Sequence, residues 1–209
     1  MSRVSLPEFC YEGYIFDLDG TLVDSMHTHF RAWRSALAHA GAPPEVFRSR
    51  EFVSYGGRAA IDIIGALNVK YGLHMDAQAT SQYKKDYYLQ LLRSEPLAAI
   101  AEVLDFVREL KRRGLPCAIG TGSAPKGAAE TLRSAGMSEL FDLIVTPEDV
   151  PAGRGKPCPD IFLLCAQRMG VNPQRCIVFE DAQPGIDAAM SAGMDYAVVA
   201  EPDMSQWDD

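Results

Sequence analysis

Residues 14–21 read Tyr-Ile-Phe-Asp-Leu-Asp-Gly-Thr. The segment favours strand and is apolar up to Asp17, and Asp19-Gly20-Thr21 then stops it with turn chemistry. This predicts a buried strand over 14–18 that delivers carboxylates at its C-terminal end. If strand geometry persists, Asp17 and Asp19 share a face, and the turn at Gly20 lets the second carboxylate lean towards the first. Such a pair suits a nucleophile with an acid/base partner.

Outward from this strand, short apolar runs recur at 116–120, 143–146, 176–179 and 196–199, with helical periodicity over 100–113, 126–135, 160–169 and 185–192. Strands alternating with helices imply βαβ units and a parallel sheet covered on both faces, so the expected fold is α/β and Rossmann-like. Residues 25–94 break the alternation. They read as consecutive helices over 25–40, with Ser25 as N-cap, then 45–52, 58–71 and 76–93, separated by Gly41-Ala42-Pro43-Pro44 and Tyr71-Gly72-Leu73-His74. The expected organisation is a core of residues 1–24 and 95–209 with an all-helical cap domain, 25–94, inserted over the site. The chain crosses between the two near 23–25 and 94–97. The polar tail, 201–209, is expected to fray.

The chain has 209 residues, 47% hydrophobic and 23% charged, with a formal charge of -8. That charge works against a polyanion bound through a basic face, so no nucleic acid is expected, whereas a small anion held by a few local donors is allowed. Five cysteines (Cys10, Cys117, Cys158, Cys165, Cys176) are odd in number and widely spaced. They fit neither a disulfide framework nor a zinc site and read as buried free thiols in a reducing cytoplasm. Neither a signal peptide nor a membrane span is indicated. The default expectation is a cytoplasmic monomer.

In an open parallel sheet, ligands sit beyond the C-terminal ends of the strands. The first strand delivers Asp17, Asp19 and Thr21 there, and the second delivers Thr121, Gly122 and Ser123. A Gly-Lys-Pro loop adds Lys156, and Glu180 and Asp181 complete the set. Four carboxylates brought together cannot all stay ionised without a cation, and hard oxygen ligands of this kind suit Mg²⁺. Gly120-Thr121-Gly122-Ser123, just ahead of a helix, is a ready phosphate cradle. Lys156 would neutralise the nucleophile and a transferring phosphoryl group.

Taken in order, Asp17-Leu18-Asp19-Gly20-Thr21, Gly120-Thr121-Gly122-Ser123, Gly155-Lys156-Pro157-Cys158-Pro159-Asp160 and Glu180-Asp181-Ala182-Gln183-Pro184-Gly185-Ile186 resemble the four signatures of the haloacid dehalogenase superfamily. The position and helicity of the cap resemble its β-phosphoglucomutase-like subgroup. Residues 162–171 followed by 178–182 are similar to the bacterial fructose-1-phosphate phosphatase branch of that subgroup.

The resemblance implies that Asp17 is the nucleophile, Asp19 the acid/base, and Thr121 and Lys156 the phosphate binders, with Gly122 and Ser123 in the same cradle. Magnesium would bind the Asp17 side chain, the Asp19 backbone carbonyl, Glu180 and Asp181. In the cap, His29, Arg58 and Lys84 match positions that orient the acid/base or hold the non-reacting end of the substrate. Trp33, Phe52 and Tyr87 read as packing residues rather than a substrate shelf, and His27, His39 and His74 show no metal-like pairing.

The expected reaction is hydrolysis of a small sugar phosphate, fructose 1-phosphate foremost, through an aspartyl phosphate, with a protonated Asp19 donating to the leaving alkoxide. Two alternatives stand: a phosphomutase that returns the phosphoryl group to a sugar phosphate, and a non-catalytic sensor of phosphorylated metabolites.

Overall fold

The computed structural model describes residues 4, 5, 10–56, 58–200, 204 and 207. In chain order the elements are β1 (Gly13–Phe16), α1 (Met26–His39), α2 (Ser49–Ser54), α3 (Ala60–Tyr71), α4 (Ala77–Ser94), α5 (Ala101–Arg112), β2 (Cys117–Gly120), α6 (Pro125–Ser134), β3 (Ile144–Val145), α7 (Asp160–Met169), β4 (Cys176–Glu180), α8 (Gln183–Ser191) and β5 (Asp195–Val198).

The five strands form one parallel sheet in the order β3-β2-β1-β4-β5. The continuous apolar reading of β1 follows from burial on both faces. Tyr14 and Phe16 join Ile119, Ile177 and Phe179 in a layer under α5 and α6. Ile15 joins Ala118, Val145 and Val178 in a second layer under α7 and α8. Side chains alternate along a strand, so one run feeds both layers. Each fully buried Phe or Ile there contributes about 1.5–3 kcal/mol relative to exposure. The chain moves outward from β1 to β2 and β3, then returns to the other side of β1 as β4. The crevice between β1 and β4 is therefore the switch point at which parallel sheets take their ligands.

Helices α1 to α4 bury a cluster of their own that includes Phe30, Trp33, Phe47, Phe52, Ile64 and Leu67. The chain enters and leaves this helical block by two segments that run side by side. Val23 bridges Ala99 antiparallel, Asp24 N–H donates to Ala98 O at 2.9 Å, and Ile100 N–H donates to Leu22 O at 2.9 Å.

Several local expectations give way to specific causes. The helix expected over 45–52 begins only at Ser49, because Phe47 holds φ +67 and no α-helix passes through that conformation. Ser25 occupies the N-cap position of α1 without capping it, since its hydroxyl donates to Asp19 Oδ1 at 2.7 Å. The strand ends at Phe16, so the two-residue alternation does not carry as far as Asp19. Among the thiols, Cys165 and Cys176 are buried, Cys117 and Cys158 half-buried, and Cys10 exposed. No helix among the described residues is long and apolar enough to cross a membrane.

The tail departs from expectation at Trp207. The remainder of that expectation falls on residues outside those described, apart from Met204. The Trp207 ring stacks on Phe30 and His27 with centroids 5.3 and 5.4 Å apart, within the apolar cluster of the helical block. Trp207→Ala is expected to lower unfolding free energy by about 1–2 kcal/mol through lost ring contact. Urea denaturation followed by far-ultraviolet circular dichroism measures this, and an unchanged midpoint would show that the contact contributes nothing.

Candidate active site

The switch-point crevice is built from main-chain pairing. Phe16 lies beside Phe179 in the β1/β4 register, and Asp17 N–H donates to Phe179 O at 2.9 Å, so Asp17 emerges next to Glu180. Asp17 follows Ile15, and Glu180 follows Val178, at the two-residue interval that places both on the α7 side of the sheet. The loop leading into α7 brings Lys156 to that side. Its Nζ donates to Asp17 Oδ1 at 2.5 Å and Glu180 Oε1 at 2.6 Å, and it lies 4.8 Å from the ring centroid of Phe162 on α7.

The second oxygen of Glu180 accepts the backbone N–H groups of Asp181 at 3.0 Å and Ala182 at 2.9 Å. Asp181 Oδ1 accepts the Thr21 hydroxyl at 3.0 Å. Two glycines make room for these carboxylates. A Cβ on Gly20, which holds φ +90, would run into the Asp181 carboxylate, and one on Gly185 would run into that of Glu180.

The cluster is short of positive charge. Burial pushes the Asp17 carboxyl up to about 7; Lys156 pulls it down, and Glu180 pushes it further up. Burial also raises Asp181 well above the usual carboxylate range, with Glu180 and Asp17 adding to the effect. Burial works against the Lys156 charge, but the attraction of Asp17 and Glu180 outweighs it and raises that group. Oxygens of Asp17, Glu180 and Asp181 all lie within 4.8 Å of one another, and the Lys156 ammonium bonds the first two of these carboxylates. Three hard oxygen donors with a charge deficit fit a divalent cation of the Mg²⁺ type.

Asp19 has a different set of partners. Its Oδ1 accepts from Ser25 Oγ at 2.7 Å and His29 Nε2 at 3.0 Å, and its Oδ2 accepts from Ser123 Oγ at 2.6 Å. Burial alone would raise this carboxyl, but His29, Ser123 and Ser25 outweigh it and hold Asp19 well below its ordinary value. In this arrangement the Asp19 carboxylate is a hydrogen-bond acceptor on both of its oxygens.

Behind it, His29 Nδ1 lies 2.9 Å from Lys84 Nζ. An ammonium group only donates and a carboxylate only accepts, so a neutral imidazole carrying its proton on Nε2 satisfies both neighbours. Burial and Lys84 lower His29, against the pull of Asp19, and burial brings Lys84 down to about 8. The result is a hydrogen-bonded line from Lys84 through His29 to Asp19.

A cleft of about 550 Å³ opens over both groups. Its floor carries Asp17, Asp19, Thr121, Gly122, Ser123, Glu180 and Asp181, and its roof carries His29, Arg58 and Lys84 from the helical block. Lys156, with its side chain 1% exposed, sits behind Asp17 and Glu180 instead of on the cleft wall. Ser123, expected in the phosphate cradle, is engaged within the site: its hydroxyl on Asp19 and its N–H on Thr121 Oγ1 at 3.0 Å. Arg58 stands apart from the Asp19 line, with its guanidinium 5.2 Å from the Tyr55 ring centroid. Trp33 and Phe52 belong to the packed cluster and also line the cleft.

Sequence reasoning missed Ser25 as an Asp19 partner and missed Tyr88, which lies on α4 against His29. For Tyr88 the available signal was its i+4 spacing from Lys84, which places both on one helical face.

Comparison with known proteins gives a consistent picture. The haloacid dehalogenase-like hydrolase family matches residues 11–193. Fructose-1-phosphate phosphatase YqaB of Escherichia coli is 38% identical over 187 residues, covering 88% of this chain and 94% of its own. A phosphorylated carbohydrates phosphatase of Thermotoga maritima is 33% identical, covering 90% of this chain and 85% of its own. Among solved structures, a β-phosphoglucomutase from Clostridium difficile superposes with a TM-score of 0.73 at 30% identity, covering 89% of this chain and 83% of its own.

Proposed function

The chain belongs to the haloacid dehalogenase-like hydrolases and is a phosphoric monoester hydrolase, and from that premise we propose that it dephosphorylates a small sugar phosphate, fructose 1-phosphate foremost, with Asp17 as covalent nucleophile. The observation that carries this reading is the buried Asp17, fixed by Lys156 at the β1/β4 switch point beside Glu180 and Asp181.

In the first step an Asp17 carboxylate oxygen attacks phosphorus and the bond from phosphorus to the sugar oxygen breaks, leaving an aspartyl phosphate. Lys156 orients Asp17 and favours its ionised form. The leaving alkoxide needs a proton. Asp19, protonated for this step, donates it and is left as the carboxylate that Ser25, His29 and Ser123 hold. In the second step Asp19 takes a proton from water as the water oxygen bonds to phosphorus and the bond from phosphorus to Asp17 breaks, which releases inorganic phosphate and restores the protonated acid.

Thr121, Gly122 and the N-terminus of α6 face the phosphoryl group. Asp17, Glu180, Asp181 and the Asp19 backbone carbonyl would hold Mg²⁺, which when bound supplies Lewis-acid neutralisation of the phosphoryl oxygens. Residues 25–94 act as a cap over residues 1–24 and 95–209, excluding water and presenting Arg58 to the non-reacting end of the sugar.

The similarity to a β-phosphoglucomutase keeps one rival in view, in which the phosphoenzyme donates to a sugar phosphate instead of water. Turnover of a panel of hexose and pentose phosphates with Mg²⁺ separates the readings. One inorganic phosphate released per substrate consumed, fastest with fructose 1-phosphate, is the expected result. Isomerised sugar phosphate formed from a bisphosphate primer without phosphate release would establish the mutase. Tight binding with no turnover of any substrate would point to a sensor.

A further inference from the structure

Tyr88 lies one helical turn beyond Lys84 on α4, and its ring is flat against His29, with centroids 3.9 Å apart and planes 8° apart. Its hydroxyl is 2.8 Å from Thr131 Oγ1 on α6, a helix that packs on the sheet and not within the helical block. Tyr88 is 4% exposed and Thr131 0%, so this hydrogen bond is shielded from water. Lys84 Nζ lies 5.3 Å from the Tyr88 ring centroid and 5.6 Å from that of Trp33, between two aromatic faces.

An imidazole that bonds two groups through its opposite nitrogens must contain both in its own plane. Here those groups are Asp19 Oδ1, 3.0 Å from Nε2, and Lys84 Nζ, 2.9 Å from Nδ1. Rotation of the His29 ring about its bond to Cβ breaks both bonds, and α1 fixes only the Cα. The stacked Tyr88 ring removes that freedom. Thr131 in turn fixes Tyr88 from the sheet side, so the plane of a histidine in the helical block is set across the junction between the two units.

We propose that Tyr88 is a positioning residue for the acid/base line: pinned by Thr131, its ring holds His29 in the one plane that bonds Asp19 and Lys84 together. The role rests on the assignment of Asp19 as acid/base made above. It differs from ordinary packing in that its loss acts on proton delivery and on the His29 tautomer, with binding of the phosphate ester left in place.

The test uses the full-length protein with fructose 1-phosphate and Mg²⁺, plus imidazole ¹⁵N shifts at fixed pH, with His29 assigned from its disappearance in His29→Gln. Tyr88→Leu is expected to lower kcat about 10–100-fold with KM within about threefold, the scale of a displaced catalytic group. Its His29 shifts should move from the Nε2–H pattern towards a tautomer average. Tyr88→Phe keeps the ring, so it should retain the His29 pattern and lose about two- to fivefold in kcat; Thr131→Val should lose no more than that, and the double variant should be no worse than Tyr88→Phe alone, because the phenylalanine has already removed the bond to Thr131 together with the hydroxyl's contacts to Ser25 and Asp19.

A folded Tyr88→Leu protein with wild-type kcat and unmoved His29 shifts overturns the proposal. Should that variant fail to fold, additive losses, or no loss, in the Phe/Val cycle overturn it instead. If Asp19→Asn were fully active, the assignment of Asp19 would fall. The ¹⁵N pattern, which needs no turnover, would still decide separately whether Tyr88 sets the His29 ring.

Discussion

Asp17→Asn is expected to lower kcat by about 10⁴-fold or more, the scale on which deletion of a covalent nucleophile acts, while the folded protein becomes no less stable. The amide keeps the size and shape of the carboxylate, so the β1/β4 pairing that positions residue 17 is untouched. What disappears is the anionic oxygen that attacks phosphorus, since the amide oxygen keeps its lone pairs but is a poor nucleophile. The stability half follows from charge: in wild type three carboxylates crowd one ammonium, and burial pushes Asp17 up to about 7. Removing one negative charge relieves that crowding, while Lys156 keeps its 2.6 Å bond to Glu180. Melting in metal-free buffer should therefore give an equal or higher midpoint for the variant, the trade of stability for activity that a strained site produces. Phosphate release and acid-quenched ³²P labelling measure the chemical half, with intact mass excluding deamidation back to Asp. A variant that keeps substantial turnover, or that still becomes labelled, would remove Asp17 from the covalent role.

The position of Asp17 was legible because the information is one-dimensional: an apolar strand covered on both faces, then a carboxylate where the strand stops. The same logic made Thr121, Lys156, Glu180 and Asp181 readable as strand-end residues, and the structure places all five around one crevice. The helices over the sheet were readable too, α7 at its observed limits, because their apolar faces recur with helical period.

What periodicity does not carry is the partner of a polar side chain. Ser25 has the residue type and position of an N-cap, yet its hydroxyl serves Asp19, a choice made by a carboxylate that only the folded turn brings near. The 45–52 helix failed at Phe47, where one left-handed residue outweighs an acceptable helical composition. Trp207 sat in a polar tail, and its stacking on Phe30 is a contact with the far end of the chain that no local window contains.

Lys156→Met should be the most damaging substitution to the fold among the site residues. The lysine side chain is 1% exposed and bonds both Asp17 and Glu180, and methionine fills similar space without the charge. Deleting one partner of a buried ionic cluster strands the others, a loss of about 3–5 kcal/mol. The pH dependence has a definite sign. A carboxylate whose folded pKa is raised above its unfolded value is stabilised in its protonated form, and that stability is lost as pH rises through the folded value. Asp17 is pushed up to about 7 even with Lys156 present, and without it should go higher. The variant's deficit should therefore be greatest above neutrality and shrink as pH falls towards the ordinary carboxylate range near about 4.

Millimolar Mg²⁺ should restore part of the lost stability by supplying the missing positive charge, and should restore less in the Asp17→Asn/Lys156→Met double variant, which has one ligand fewer and less repulsion to relieve. That double variant should also be more stable than Lys156→Met alone in metal-free buffer, a non-additivity that reports the stranded carboxylate directly. Urea denaturation across pH, with and without Mg²⁺, reads all of these. A metal-free deficit under about 1 kcal/mol that is insensitive to pH would mean that Lys156 balances no buried charge, and the description of Asp17, Glu180 and Asp181 as a charge-deficient cation site would fail with it.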